Sequence, residues 1–397
     1  MMKRVTQTLT AIASVAALTA LLGLTSCHEV IFDTIRQEIK LEDAQITGTI
    51  NSIVRYTMKA TETTTTTAED GTETTSTTNT NHEFLFCQNG NIWYRDVQTA
   101  STTTSHYSEQ WSRIKQPDSN IIKLAADSEY LYALAAPTYA DNEDTGDNIE
   151  SGRSIYYAKV EKVADISAIE WKAIEFDGVT TFSTSVTSVI FCTNTPNKNN
   201  RRAFARIGSV VYELNKDKEN EGTATSIGTG ETDHTTTPTT GVRSAAYLNG
   251  DVYFSSGYAM TSNETTTDEA TYIYYNSGDD LYYRTAATDW VEAGDPGDVI
   301  YAMAYTNDYL LLGTDDGLIH VKVTEGVPAG STSDFDTNAE STLSSYYQVR
   351  AIITVNPENA ETETAAYGTT SFSGTSGSFS NSCLWGYYPK RGKWNCE

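Results

Sequence analysis

The chain has 397 residues, of which 39% are hydrophobic, and its 27 lysines and arginines stand against 52 aspartates and glutamates, a net charge of −25. So acidic a surface repels phosphate backbones and anionic headgroups, which argues against a nucleic-acid partner and against a basic patch as membrane attachment, while divalent cations are compatible with it. The length exceeds that of an ordinary single domain, so internal repetition is the first property to test.

Met1–Met2–Lys3–Arg4 is a short basic start, and residues 11–24 are mostly Ala, Leu, Val and Ile with no charge. This is the layout of an export signal, with an apolar core too short for a spanning helix. Leu24, Thr25 and Ser26 then lead directly into Cys27. The tetrapeptide resembles the bacterial lipobox, which implies a signal peptide over residues 1–26, cleavage before Cys27 and a lipid on its sulfur. Two or three acyl chains hold a protein to membrane lipid far more firmly than one. His28 occupies the position where aspartate signals inner-membrane retention in some two-membrane bacteria, so the resemblance favours the outer membrane. Residues 27–44 are expected to form a lipidated tether, with Val30, Ile31, Phe32 and Ile35 its main apolar residues.

From about residue 45 a pattern recurs. First strands are predicted at 50–56, 121–126, 188–192, 242–248, 299–305 and 349–355, and second strands at 84–87, 130–134, 203–206, 252–255, 309–313 and 364–368. Third strands align best, at 91–94, 154–157, 209–212, 280–283, 317–320 and 383–386. Each of these opens on a small or polar residue, followed by an aliphatic, with a large residue within the next two positions. Trp111, Trp171, Trp290 and Trp394 mark fourth strands in four of the six units. The segments are rich in β-branched and aromatic residues between Gly, Asn, Asp and Ser turns, and no long stretch has helical periodicity. This predicts an all-β chain: a single β-propeller of six four-stranded blades, over residues 45–116, 117–178, 179–240, 241–297, 298–346 and 347–397. The fifth unit, Tyr309–Leu310–Leu311–Leu312–Gly313–Thr314–Asp315–Asp316–Gly317–Leu318–Ile319, resembles the blade signature of sensor-type, WD-like propellers. A seven-bladed ring and a pair of β-sandwiches stand as alternatives.

Long insertions interrupt the units. The Thr-rich tracts at 61–82, 223–240 and 262–270 lack core-forming residues and are expected to be mobile loops or long hairpin tips. Residues 141–148 place Asp141, Glu143 and Thr145 at the first, third and fifth positions of a calcium-type loop, yet the twelfth position is Gly152 rather than glutamate. A solvated loop is the preferred reading. Four cysteines follow Cys27. Cys383 and Cys396 lie symmetrically about Pro389–Lys390, so a hairpin turning there would oppose them and permit a disulfide, whereas Cys87 and Cys192 fit as small apolar residues in strands.

Catalytic signatures are missing. The five histidines, at 28, 82, 106, 234 and 320, share no zinc-ligand spacing, and no nucleophile elbow, phosphate loop or dinucleotide fingerprint occurs. Asp279–Asp280 and Asp315–Asp316 fall at turns, where aspartate is favoured for the backbone's sake. The 25 tyrosines suit packing between sheets better than sugar stacking. The leading expectation is thus an envelope lipoprotein that presents a propeller as a non-enzymatic binding or scaffold module, without cofactor. Its ligand on a propeller face would be a protein or, second, a glycan. This resembles the propeller lipoproteins that help assemble outer-membrane proteins. A propeller-based glycan-active enzyme and a surface adhesin or antigen are the alternatives.

Overall fold

The computed structural model describes residues 45–396 apart from 68–70, 72, 97–110, 119, 138, 142–147, 151, 161–162, 218, 229–240, 266–267, 307, 330–346, 356–365, 373–381 and 389–392. They belong to a compact unit, Gln45–Glu397. The unit is all-β, built from antiparallel sheets, and none of its helices is long and apolar enough to cross a membrane.

The first sheet runs in the order β1 (Ile53–Thr67), β2 (Glu73–Gln88), β3 (Ile92–Asp96) and β4 (Ser112–Arg113). The second begins with β5 (Ile121–Ala126) and β6 (Leu131–Ala135), makes a separate hairpin of β7 (Tyr139–Asp141) and β8 (Asn148–Glu150), and resumes with β9 (Arg153–Ala158). Both β10 (Lys172–Ala173) and β11 (Thr181–Phe182) pair with β9. The third sheet holds β12 (Ser188–Cys192), β13 (Ala203–Ile207), β14 (Val210–Leu214) and β15 (Ala224–Gly228); the fourth has only β16 (Ser244–Leu248) and β17 (Asp251–Ser255). The fifth comprises β18 (Met260–Ser262), β19 (Ile273–Ser277), β20 (Asp280–Arg284) and β21 (Val291–Gly294). The sixth comprises β22 (Ile300–Thr306), β23 (Tyr309–Thr314), β24 (Gly317–Thr324) and β25 (Val327–Pro328), and the seventh β26 (Tyr347–Thr354), β27 (Ala366–Phe372), β28 (Leu384–Tyr388) and β29 (Lys393–Cys396).

Burial explains why these strands read as apolar runs. Leu131–Ala135 is buried at every position, and so is Leu310–Thr314. A strand loses alternation in this way when both faces of its sheet are covered. The covering comes from neighbouring sheets. Among the described residues each successive pair of sheets shares a hydrophobic cluster, from the first with the second through to the sixth with the seventh. A further cluster joins the seventh back to the first, with Ile353, Val355 and Leu384 packed on Ile53, Leu85, Trp93 and Trp111. The first strands follow the same cycle: β1 lies against β5, β5 against β12, and so on through β16, β18 and β22 to β26, which lies against β1.

Two details secure this arrangement. The start of the unit is tied to the last sheet, with Gly48 donating to the Ser382 carbonyl at 2.7 Å and Leu384 to the Ile46 carbonyl at 3.1 Å. Between the sixth and seventh sheets the backbone approach is so close that a Cβ on Gly313 would lie 2.5 Å from the Val349 carbonyl oxygen.

The expected first and third strands are present, but the unit expected over 241–297 divides into two sheets. Strands β16 and β17 stand alone, and β20 and Trp290 belong to a hairpin system that begins afresh at Met260. The reason is that β18 has only three residues and leads into the Thr-rich tract at 262–270, so the second start is poor in apolar residues. Of the two readings of the tract at 61–82, the long hairpin is the one present: β1 and β2 pair without interruption from Ile53↔Cys87 to Thr67↔Glu73, with cross-strand threonine pairs toward the tip. The terminal hairpin also differs in register. Cys396 opposes Trp385 and Trp394 opposes Tyr387, in a ladder that runs to Tyr388↔Lys393 and is therefore not centred on Pro389–Lys390.

Candidate functional site

Where the seven first strands meet, they enclose a cavity, and its open end takes one residue from each strand or from the residues leading into it. These are Asn51, Lys123, Val189, Arg243, Tyr258, Tyr301 and Arg350, joined by Thr187 and Arg206 from the third sheet. The volume is about 390 Å³. Among the described residues four cations line this mouth and no carboxylate does, in a chain with a net charge of −25.

Local backbone irregularities aim several of these side chains. Register shifts separate Ile300 from Ala302 and Val349 from Ala351, leaving Tyr301 and Arg350 as the extra residues, and another between Ile121 and Lys123 leaves Ile122 unpaired. Such bulges bend a strand and turn a side chain out of the regular pleat. Tyr301 and Arg350 join Tyr258 and Arg243 in one row. The Arg243 guanidinium lies over the Tyr258 ring at 4.4 Å, the Tyr258 and Tyr301 rings are 5.1 Å apart, and Arg350 lies over Tyr301 at 5.2 Å. Attraction between a guanidinium and a ring face holds each arginine in a defined plane. Arg206 is held differently, donating from Nε to the Val242 carbonyl at 2.8 Å and from a terminal nitrogen to the Gly208 carbonyl at 3.1 Å.

Electrostatics at the mouth are correspondingly strained. Burial pushes the Lys123 ammonium below the ordinary lysine range; the nearby Cys192 opposes that shift and the Arg243 charge adds to it. Arg206 is lowered by burial and by the same Arg243. Lys123 comes from β5 and Arg243 from the residue before β16, so non-adjacent sheets bring like charges to one opening.

Below the mouth the wall adds the apolar side chains of Phe191, Met260, Ala302, Met303 and Ile352, beside the polar Ser52, Asn194 and Ser244. The far end is crossed by the segment between β12 and β13. Asn194 donates to the Ile53 carbonyl at 3.3 Å, and Arg201 donates to Thr57 Oγ1 at 2.7 Å and to the carbonyls of Thr195 and Pro196 at 2.8 and 2.7 Å. Glu264 accepts from Thr195 Oγ1 and, at 2.5 Å, from Asn200 Nδ2. A single carboxylate oxygen of Glu83 meets both Arg55 at 2.9 Å and Arg201 at 3.1 Å. The cavity is therefore a cup with a polar, interlocked base, a partly apolar waist and a cationic lip.

Of the residues singled out from the sequence, Leu24, Thr25, Ser26, Cys27, Glu143 and Thr145 lie outside the described residues. Asp141 ends β7, and its side chain is likewise outside them. Cys383 is disulfide-bonded while Cys87 and Cys192 are reduced thiols; the Cys396 side chain lies outside the described residues. Asp279 and Asp280 at the β19–β20 turn and Asp295 just after β21 bring carboxylate oxygens within 4.8 Å of one another, with Asp279 exposed and Asp280 half-buried. His320 is half-buried, its ring 6.3 Å from that of Tyr309. None of the mouth cations was anticipated. Their one sequence signal is position: each of Asn51, Val189, Arg243 and Arg350 stands second in a predicted first strand, and Lys123 and Tyr301 stand third.

No protein-family model matches the chain, and no curated protein matches it. Among solved structures it is similar to PorZ, a bacterial surface component of the type-IX secretion system of Porphyromonas gingivalis, at 14% identity and a TM-score of 0.26 over 78% of this chain and 40% of that one. It is also similar to a protein assigned as a 6-phosphogluconolactonase of Bacteroides uniformis, at 13% identity and a TM-score of 0.28 over 62% of this chain and 92% of that one. The chain thus spans well under half the length of the PorZ structure, and at these identities and TM-scores neither likeness carries an argument about what this chain does.

Proposed function

We propose that the chain is a cell-envelope lipoprotein, cleaved before Cys27 and held there by lipid, whose seven sheets form a β-propeller that acts as a non-enzymatic binding module. Its ligand sits at the open lip of the axial cup. The observation that carries this reading is the convergence of one residue from each of the seven first strands on one opening, above a base that is interlocked rather than open. Convergent polar groups over a partly apolar waist are the usual make-up of a ligand pocket. A glycan hydrolase needs a pair of carboxyl groups flanking the scissile bond. Among the described residues the lip is lined by four cations, two tyrosines, Asn51, Thr187 and Val189, and Glu264, the acid most raised in pKa at the base, is 2% exposed and bonded to Thr195 and Asn200. The Cys383–Cys396 disulfide remains part of the proposal, as a diagonal rather than directly opposed pair.

One experiment tests anchor and site together. A photo-reactive benzophenone side chain replaces Val189 at the lip or Val291 on outer strand β21, and cells are irradiated before fractionation. The expected result is a ligand adduct from position 189 and none from position 291, in the membrane fraction for Cys27 chains and in the soluble fraction for C27S chains. Equal adducts from both positions would remove the cup as the site; C27S chains that stay with the membrane would remove the lipid anchor.

A further inference from the structure

Resting on that reading of the cup, we propose that the lip binds a compact polyanion: a small molecule carrying at least two carboxylate or phosphate groups. The argument begins with unbalanced charge. Lys123, Arg206, Arg243 and Arg350 share one mouth of about 390 Å³, and among the described residues no carboxylate lines it. The ion pairs among the described residues involve Arg55, Lys159, Arg201, Arg202 and Lys216, so Lys123, Arg206 and Arg243 lie outside all of them. Gathering like charges in a half-buried opening is unfavourable, and a natural way to relieve it is an anion from outside. The 25 cationic residues that follow Cys27 are outnumbered by 52 acids, so the exclusion of every acid from this lining is selective.

A second observation concerns hydrogen-bond capacity. The Arg243 Nε is buried and has no partner, although the guanidinium plane is held against Tyr258. A buried donor without an acceptor costs about 1–3 kcal/mol, which an incoming oxyanion recovers. Guanidinium forks match carboxylate and phosphate oxygens in pairs.

The geometry then sets the number of acidic groups. Lys123, Arg206 and Arg243 line the mouth together and form one subsite, with the Arg243 charge bearing on both of the others. Arg350, which also donates to Gln348 Oε1 at 2.5 Å, lies on the far side of the tilted Tyr258 and Tyr301 rings and forms a second. With two rings between Arg243 and Arg350, each subsite takes its own acid group. The waist below supplies no further cation, so the ligand remains at the lip and does not thread into the cup.

The test is calorimetry on the full chain at low ionic strength, titrating citrate, inorganic pyrophosphate, an oligoglutamate peptide and the neutral trisaccharide maltotriose. The expected result is binding of citrate or pyrophosphate that weakens as salt is added, with Kd raised at least about tenfold in R243Q and in R350Q. Citrate preference assigns a polycarboxylate ligand and pyrophosphate preference a phosphorylated one. If R243Q fails to fold, R243K retains the charge while losing the fork, and a rise in Kd there carries the same meaning. Wild-type affinity in both arginine variants, or no binding of either small anion, overturns the proposal, as does binding of oligoglutamate alone. Maltotriose binding that ignores the arginines overturns the anion inference but leaves the cup as the site. An adduct at position 189 without any anion binding separates the two claims in the same way.

Discussion

Replacing Glu83 by glutamine is expected to lower the stability of the propeller by about 3–5 kcal/mol, the scale for stripping the partner from buried charge. Glu83 is the one carboxylate shared by Arg55 and Arg201, whose side chains are only 1% and 2% exposed. Arg55 comes from β1 and Arg201 from the segment after β12, so the carboxylate ties the first sheet to the third across the base of the cup. Arg55 Nη2 donates to the carbonyls of Thr354, the last residue of β26, and of Val355 after it, while its buried Nε has no acceptor among the described residues. Burial already pushes the Arg201 guanidinium down to about 10, with Glu83 the main opposing influence and the Arg55 charge adding to the depression. Without Glu83 two guanidiniums face each other with only neutral acceptors. The urea midpoint of E83Q checks this: a loss within about 1 kcal/mol of wild type would mean that water already neutralises the pair.

Stability is also expected to fall with rising pH on account of Glu264. Burial pushes its carboxyl up to about 7, against the opposing hydrogen bond from Asn200 and the Arg201 charge. The folded chain therefore keeps a proton that the unfolded chain releases near the ordinary value of 4.5. Between those values the folded state binds more protons than the unfolded state, so the contribution is complete below 4.5 and is lost as pH rises through 7. The swing is about 3 kcal/mol. In E264Q the amide oxygen still accepts from Asn200 and the amide nitrogen donates to Thr195, so the contacts persist without the ionisation. E264Q is expected to match wild type near pH 4.5 and to exceed it by about that amount at pH 8. A stability difference between the two chains that does not change with pH would contradict this. Such a result would show that Arg201 stabilises the charged form more than burial penalises it.

These two acids share a feature that bears on how far the sequence can be read. Glu83 and Glu264 look like any of the 52 acidic residues, because what distinguishes them is made by sheets far apart in the chain. The strands were legible because their determinants are local: Tyr309–Thr314 and Gly317–Thr324 carry β-branched and aliphatic runs on either side of Asp315–Asp316, and the ladder pairs Thr314 with Gly317 as that pattern demands. The count of sheets was less legible. Ile273–Ser277 and Asp280–Arg284 form a hairpin about Gly278, whose φ of +68° suits the turn, and the run Ile273–Tyr274–Tyr275 carries a strand signal of its own. It went unassigned because Val252–Ser255 already supplied a second strand, and a two-stranded sheet is not something that periodicity announces. The lip was least legible of all. Lys123, Arg243 and Arg350 are isolated cations in apolar strands, and only their common place near the start of a first strand marks them.

Convergence of those strands on one opening underlies both the binding reading and the ligand class, and the titration of a single amine addresses it. Reductive methylation with carbon-13 labels the lysines, and the K123R chain identifies the Lys123 resonance. The expected result is a Lys123 amine that titrates below the ordinary lysine value of 10.5 and moves upward in R243Q, because burial and the Arg243 charge both disfavour its protonated form. A Lys123 resonance that titrates with the bulk of the lysines and ignores R243Q would contradict the account. It would mean that β5 and β16 do not meet at a common lip.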